Sequence, residues 1–283
     1  MTGGGTLLGT PLLALPDRQT PALLASDLHV PAGGGPVVAA LAALLARAAE
    51  QKARVFLLGD LFDSYVVPAQ LRIGVYKEVA ALLAHAVASG VAVFVLRGNR
   101  DFLLGPELAA QTGVVLAPGG FRVRLGGFDT ALVHGDELCT RDLPYQRAKR
   151  WLRRPWLGAC LRRLPLRLAL AAAARARAKS RKVVQQGDPE RFLPPAEALC
   201  AALADGLQQV VFGHIHRAAA GSVAAGRYRV LPAFDATGGA LWAGPDGWRP
   251  VRIDPAGGLA QAPEPPPLPL PEALDRRPWA APG

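Results

Sequence analysis

Cysteine is scarce. The 283-residue chain has three, Cys139, Cys160 and Cys200, an odd number with no C-x-x-C pair. This argues against a disulfide scaffold and fits thiols kept reduced in a cytoplasm. No uncharged apolar run reaches the length of about 18 residues that a membrane-spanning helix needs. The first residues, MTGGGTLLGTPLLALPDRQ, lack the positive start of a signal peptide and read as a flexible extension, poorly ordered to about residue 20. Acidic residues are nearly absent from one stretch: residues 141–182 hold 14 Lys and Arg against a single acid, Asp142, whereas the rest of the chain holds 18 against 21. The formal net charge of +10 is therefore one basic segment on an otherwise slightly acidic protein. Such a segment attracts nucleic acid, an anionic membrane face or a phosphorylated substrate. Aromatic residues are few, at 6%, and Trp151 and Trp156 lie among leucines rather than in a stacking platform, so no nucleic-acid partner is expected.

What is present supports a large core: 51% of residues are hydrophobic and 19% charged, which excludes a wholly disordered chain. Residues 22–26, 54–58, 91–96, 130–133 and 209–212 are short apolar runs of strand type. Each ends in a polar cluster: Asp27-Leu28-His29, Gly59-Asp60, Gly98-Asn99-Arg100-Asp101, His134-Gly135-Asp136 and Gly213-His214-Ile215-His216. Helical character covers residues 36–50, with proline at the start, and 69–88. A Leu- and Arg-rich helical stretch follows from 143 to about 184, broken at Pro155 and Pro165. Residues 121–125 form a hairpin with 130–133, and short strands follow at 227–231, 239–242 and 248–253. Residues 254–283 are a Pro-rich tail with too little to bury, expected to be disordered. Strand–helix alternation in the first half predicts a largely parallel sheet, and hairpins in the second half a mixed partner sheet. Functional groups in such folds gather at the carboxyl ends of strands.

Each polar cluster has an ordinary reading when taken alone: a capping Asp, a turn, a loop Asn, a satisfied structural His. Together they differ. Four of the five histidines lie at strand ends, and only His85, within a helix, does not. The set Asp27, His29, Asp60, Asn99, His134, His214 and His216 mixes oxygen with imidazole nitrogen, which suits Mn²⁺, Fe or Zn²⁺ rather than an all-oxygen Ca²⁺ site. Seven ligands suit two ions that share a carboxylate, able to clamp a phosphoryl oxygen during in-line displacement.

In this order, D-x-H, G-D, G-N-x-D, H-G-D and G-H-x-H resemble the calcineurin-like metallophosphoesterases. GDLFDSY, GNRDFLLG, HGDELCTRDLPYQ, PWL and GHIHR resemble one branch more closely, the UDP-2,3-diacylglucosamine diphosphatases of lipid A biosynthesis, from about residue 22 to 242. The resemblance implies an α/β fold, a four-layer α/β/β/α sandwich over residues 21–253 with a helical lid inserted at about 142–187. It implies two Mn²⁺ ions, one on Asp27, His29, Asp60 and His216, the other on Asp60, Asn99, His134 and His214. It also implies diphosphate hydrolysis, giving UMP and 2,3-diacylglucosamine 1-phosphate, by attack of the metal-bridging hydroxide on the α-phosphorus, with Asp60, Asn99 and Arg100 at the reacting centre. Alternatives are a metallophosphoesterase of other specificity, a nuclease using the basic segment, or a non-catalytic scaffold of the same fold.

Many phosphoesterases of this superfamily carry a histidine at the third position of G-N-x-D, where it can protonate a leaving alkoxide. Arg100 cannot, because a guanidinium keeps its proton. It can hold phosphate oxygens and offset developing charge, which suits a leaving group that departs unprotonated, as phosphate does from a diphosphate. The alternative is an ion pair with Asp101 or Asp136. Over the site, Trp151, Leu152, Trp156, Leu157, Leu161, Leu164, Leu166, Leu168 and Leu170 alternate with Arg and Lys, the pattern of an interfacial helix at an anionic membrane. In the resembled family the lid holds acyl chains and contacts the sugar–diphosphate. Asn99, Arg100, Asp142, Tyr145, Arg177, Ser180 and His214 fall at expected substrate contacts. Val184 and Gly187 replace an Asn and a Lys of the family pattern, which Lys179, Arg181 or Lys182 could offset, and no Trp stands near Pro232-Ala233-Phe234. The expected protein is a cytoplasmic monomer, peripheral on the inner membrane, that acts on a lipid-linked UDP-sugar and has no obligate protein partner.

Overall fold

The computed structural model describes residues 3–117, 119–186, 189–254 and 256–270, and the side chains of 177–189 are outside that description. In chain order the strands are β1 (Gly3–Leu7), β2 (Thr10–Ala14), β3 (Ala22–Ala25), β4 (Arg54–Leu57), β5 (Val93–Leu96), β6 (Val115–Ala117), β7 (Gly120–Leu125), β8 (Phe128–Leu132), β9 (Gln209–Phe212), β10 (Ala219–Val223), β11 (Gly226–Val230), β12 (Gly239–Gly244), β13 (Gly247–Ile253) and β14 (Leu259–Gln261). The helices are α1 (Pro36–Glu50), α2 (Gly74–Ala88), α3 (Pro106–Thr112), α4 (Leu143–Leu152), α5 (Pro155–Leu161), α6 (Leu166–Gln186), α7 (Ala196–Ala202) and α8 (Phe234–Thr237).

Two sheets of seven strands result, ordered β1-β2-β7-β8-β9-β11-β10 and β14-β13-β12-β3-β4-β5-β6. Strands β3 to β6 run parallel, as their helical crossovers require. The apolar runs of β3, β4 and β5 are buried on both faces, so they are continuous rather than alternating. Leu24, Phe56 and Leu96 of one sheet meet Phe121, Leu132 and Val211 of the other in an inner core. The outer face of the β3–β6 sheet packs on α1, α2 and α3 through residues such as Leu41, Leu83 and Leu108. The outer face of the second sheet packs on α7 through Leu199 and Ala202. This is the four-layer α/β/β/α arrangement expected. Each sheet nonetheless mixes the two halves of the chain: β12 joins β3, and β9 joins β8.

The segment before residue 20 differs from expectation, because Gly3–Leu7 and Thr10–Ala14 are strands. Leu8 and Gly9 between them both have positive φ, 49° and 79°, the requirement of a tight two-residue hairpin turn. Leu7 and Leu12 are buried against the second sheet, each worth about 1.5–3 kcal/mol. The Gly- and Pro-rich composition marks this turn and the start of β2, where Pro11 stands just ahead of the pairing with β7, rather than disorder. The tail differs likewise: β14 pairs with β13, and Leu268 is buried with its N–H donated to the Tyr228 hydroxyl at 3.0 Å. Residues 271–283 lie outside the described residues. The inserted segment forms α4, α5 and α6, broken where Pro155 and Pro165 stand. No helix among the described residues is long and apolar enough to cross a membrane.

Candidate metal centre

The five polar clusters converge. Asp27, His29, Asp60 and Asn99 follow β3, β4 and β5 of one sheet, and His134, His214 and His216 follow β8 and β9 of the other. Backbone hydrogen bonds align the tips: the His29 N–H donates to the Asp60 carbonyl at 2.9 Å, and the Gly213 N–H to the His134 carbonyl at 2.9 Å. Close approach explains two motif glycines. A Cβ on Gly98 would collide with the Asp60 carboxylate, and one on Gly213 with Ser26 and Asp27. Eight described non-glycine residues have positive φ, and five of them are Asp27, His29, Asp60, His214 and His216. Such strain of roughly 1–3 kcal/mol per residue persists only where the surroundings enforce it, and it concentrates at functional sites.

The side chains meet as two clusters whose ligand atoms lie within 4.8 Å of one another: Asp27 with His29 and His216, and Asp27 with Asp60 and His134. Asp27 is common to both, and the Asp60 carboxylate reaches a histidine of each, Oδ2 at 3.8 Å from His29 Nδ1 and Oδ1 at 3.8 Å from His134 Nε2. Asn99 Oδ1 lies 2.9 Å from His134 Nε2 and 3.2 Å from His214 Nδ1, and His29 Nε2 lies 2.9 Å from His216 Nε2. Asp101 is not part of this constellation. Its buried carboxylate accepts from the N–H groups of Gly98, Leu61 and Phe62 at 2.7, 2.8 and 3.3 Å and so ties the Asn99 loop to the Asp60 loop.

Three observations fit divalent cations. Asp27 Oδ1 and His29 Nδ1 are buried without a hydrogen-bond partner. His134 Nδ1 donates to the Leu58 carbonyl at 2.9 Å, the tautomer that leaves Nε2 free to ligate. For His29 and His214 the electrostatics agree. Burial, helped by Arg100, pushes His29 down to about 3, and burial, helped by His134, pushes His214 down to about 4, so both imidazoles are neutral at physiological pH. Burial raises the Asp60 carboxyl, while for Asp27 burial is outweighed by His216 and His134, which hold it below the usual carboxylate range. Burial opposes charge on His134, but Asp60 and Asp27 more than offset it and raise its pKa.

Arg100 sits at the edge of the centre. Its backbone N–H donates to Asp60 Oδ1 at 2.8 Å, its Nε lies 3.5 Å from Asp60 Oδ2, and its guanidinium pairs with Asp63 at 2.7 Å. Asp101 and Asp136, the partners considered from sequence, are occupied elsewhere. Asp136 Oδ2 accepts from the Tyr145 hydroxyl at 2.5 Å and pairs with Lys149 at 2.9 Å and Arg153 at 3.1 Å, holding α4 on the H-G-D turn. The Tyr145 ring also lies 6.3 Å from that of His214. Asp142 caps α4 by accepting from the Tyr145 N–H at 3.3 Å and pairs with Arg191 at 2.8 Å. The side chains of Arg177, Ser180 and Val184, and all of Gly187, lie outside the described residues. His85 is on the exposed face of α2, away from the site.

Sequence reasoning missed Asp63 beside Arg100 and the anchor of α5. Arg162 pairs with Glu107 of α3 at 2.6 Å, and Tyr65 donates to Glu107 at 2.7 Å. The extension of GDLFDSY and GNRDFLLG past the ligands was the available signal, because Tyr65 and Gly105, next to this anchor, are in it.

A buried Asp/His/Asn centre at the strand tips of an α/β/β/α sandwich is the architecture of a metal-dependent phosphoesterase. The sequence profile of the calcineurin-like phosphoesterases matches residues 20–218, and the chain belongs to that family. It is similar to proteins named UDP-2,3-diacylglucosamine hydrolase. That of Azotobacter vinelandii is 35% identical over 198 residues, 70% of this chain and 82% of the relative. That of Ectopseudomonas mendocina is 31% identical over 246 residues, 83% of this chain and 99% of the relative. With that of Ralstonia nicotianae the identity is 37% over 147 residues, 52% of this chain, and the match spans about half, 55%, of that relative.

Proposed function

We propose that the chain hydrolyses UDP-2,3-diacylglucosamine at its diphosphate. Water supplies the oxygen gained by the α-phosphoryl group, which leaves as UMP, and the bond broken is that to the oxygen carried away on 2,3-diacylglucosamine 1-phosphate. The observation that carries this reading is Arg100: a permanent cation beside Asp60 and Asp63 can hold phosphoryl oxygens but cannot protonate an alkoxide. A leaving phosphate needs no such proton. The names of the relatives point to the same substrate.

Asp27, His29, Asp60 and His216 would hold one divalent ion, and Asp60, Asn99, His134 and His214 the other, Mn²⁺ being suited to this oxygen and nitrogen mixture. When bound, the ions supply a nucleophile at neutral pH and shield charge on the phosphoryl group. Arg100 orients that group. Tyr145, beside His214, contacts the substrate from the lid, and Asp142 serves it through its hold on the start of α4.

Below the lid lies a cleft of about 910 Å³, walled by Phe102, Leu103 and Leu104 on one side and Leu143, Leu152 and Pro155 on the other. It receives the acyl chains. Trp151, Trp156 and Leu168 stand outside that lining and are 50–61% exposed, and Arg150 and Arg154 are exposed at the cleft, with no carboxylate partner among the described residues. An apolar surface with free cations fits the anionic cytoplasmic face of the inner membrane, where the protein works peripherally as a single chain without an obligate protein partner.

The test is Mn²⁺-dependent release of UMP from the lipid-linked nucleotide in mixed micelles, with Asp60→Ala as control. No release, or preference for an acyl-free nucleotide diphosphate, overturns the reading.

A further inference from the structure

The hairpin β1–β2 lies ahead of residue 20, where the family match begins. It nevertheless reaches the functional cleft, because Leu8, Gly9, Thr10 and Pro11 are part of that cleft's lining. The hairpin is built into the fold. β2 pairs in parallel with β7, Leu12 opposite Gly120 and Leu13 opposite Phe121. A Cβ on Gly119 would collide with the Pro11 carbonyl, and one on Gly120 with Leu12. Leu7 and Leu12 are buried in the same cluster as Val133 and Leu138, which flank the H-G-D turn. The hairpin is thus anchored beside the H-G-D turn, and its tip lines the same cleft as Leu103 and Leu152, with Arg97, Glu137 and Lys149 also in the lining.

We infer that this hairpin tip, chiefly Leu8 and Thr10, is the specificity-determining wall of the cleft and sets the length of the apolar chain that the cleft accepts. The inference rests on the substrate reading above for the identity of that chain. Each methylene that enters an apolar cleft strengthens binding about fourfold, and the gain stops where a wall stops the chain. A wall of one leucine and one threonine moves that limit when either side chain changes size. Leu8 has a φ of +49°, so Leu8→Gly empties the wall while placing at the turn a residue at ease there. Thr10→Phe fills the cleft instead.

The experiment compares wild type, Leu8→Gly and Thr10→Phe in two assays. The first is kcat/KM on UDP-2,3-diacylglucosamines differing by two carbons per acyl chain. The second is calorimetric binding of alkyl phosphates of graded length, which needs no turnover. The expected result is a rise with length that ends one step later in Leu8→Gly and one step earlier in Thr10→Phe, by roughly tenfold at the shifted step. Identical length profiles in the three proteins overturn the inference. If wild type hydrolyses none of the series while alkyl phosphate binding still shifts with the variants, the substrate reading falls and the wall stands.

Discussion

Asp27, His29, Asp60 and His134 are buried, the first three on backbone held at unusual φ, among glycines that tolerate no added carbon. The helices above them differ: α4 and α5 bury no side chain completely, and Trp151 and Trp156 are half exposed or more. The floor is fixed by sheet register and close packing, so its atoms have one arrangement. The cover is fixed at a few charged points, Asp136 with Lys149 and Arg153, and Glu107 with Arg162. Rigid placement suits donors that must hold cations to within fractions of an ångström, whereas a cover pinned at discrete points can shift to admit a bulky amphiphile.

Changes to the floor should therefore abolish function, and changes to the cover should grade it. Asp60→Ala should reduce both bound divalent metal and UMP release to background, measured by elemental analysis and by turnover; full metal content would remove Asp60 from the centre. Gly98→Ala should come next: its methyl collides with the Asp60 carboxylate, so metal affinity should drop and stability fall by about 1–3 kcal/mol in denaturant unfolding. Arg100→Ala should leave metal content near normal and slow turnover by roughly 10²-fold or more. Near-normal turnover would break the link between this cation and the diphosphate.

Arg162→Ala should have the mildest effect, raising KM severalfold with kcat nearly kept, because it loosens α5 without touching the floor. Glu107 gives this anchor a pH signature. Burial raises its pKa, but the hydrogen bonds from Arg162 and Tyr65 outweigh it and leave the carboxyl below its ordinary 4.5. A depressed value means the stabilisation is fully present above 4.5 and is lost as pH falls through the lowered value. The protection of α5 against hydrogen exchange, referred to the intrinsic rate at each pH, should therefore fall on acidification below that point in wild type and be less pH-dependent in Glu107→Gln. Equal pH dependence in the two proteins would assign the anchor elsewhere.

The floor was legible in the sequence because its chemistry is local: a short apolar run followed by Asp, Asn or His at strand spacing marks each of the five tips. The helical nature of residues 143–186 was legible from composition and from Pro155 and Pro165. The hairpin was not, because Gly9 and Pro11 signal a turn and the start of a strand with the same letters that signal disorder. Short elements such as α3 and α7, seven residues each, show too little periodicity to declare themselves. The partner of Arg100 was also hidden: Asp63 is 37 residues away in sequence, and only the folded loops bring the two together.

The donors are distributed along most of the chain, and this has a consequence for how the protein is made. His29 and His216 touch across 187 positions, as do Asp27 and the backbone of His214. A ribosome-bound nascent chain that has completed α1, α2 and the lid still lacks His214 and His216, one donor from each proposed ligand set. Loop closure over such a span is slow relative to helix formation, so capacity to take up metal should be among the last properties the polypeptide gains, arriving only after β9 has emerged and inserted beside β8.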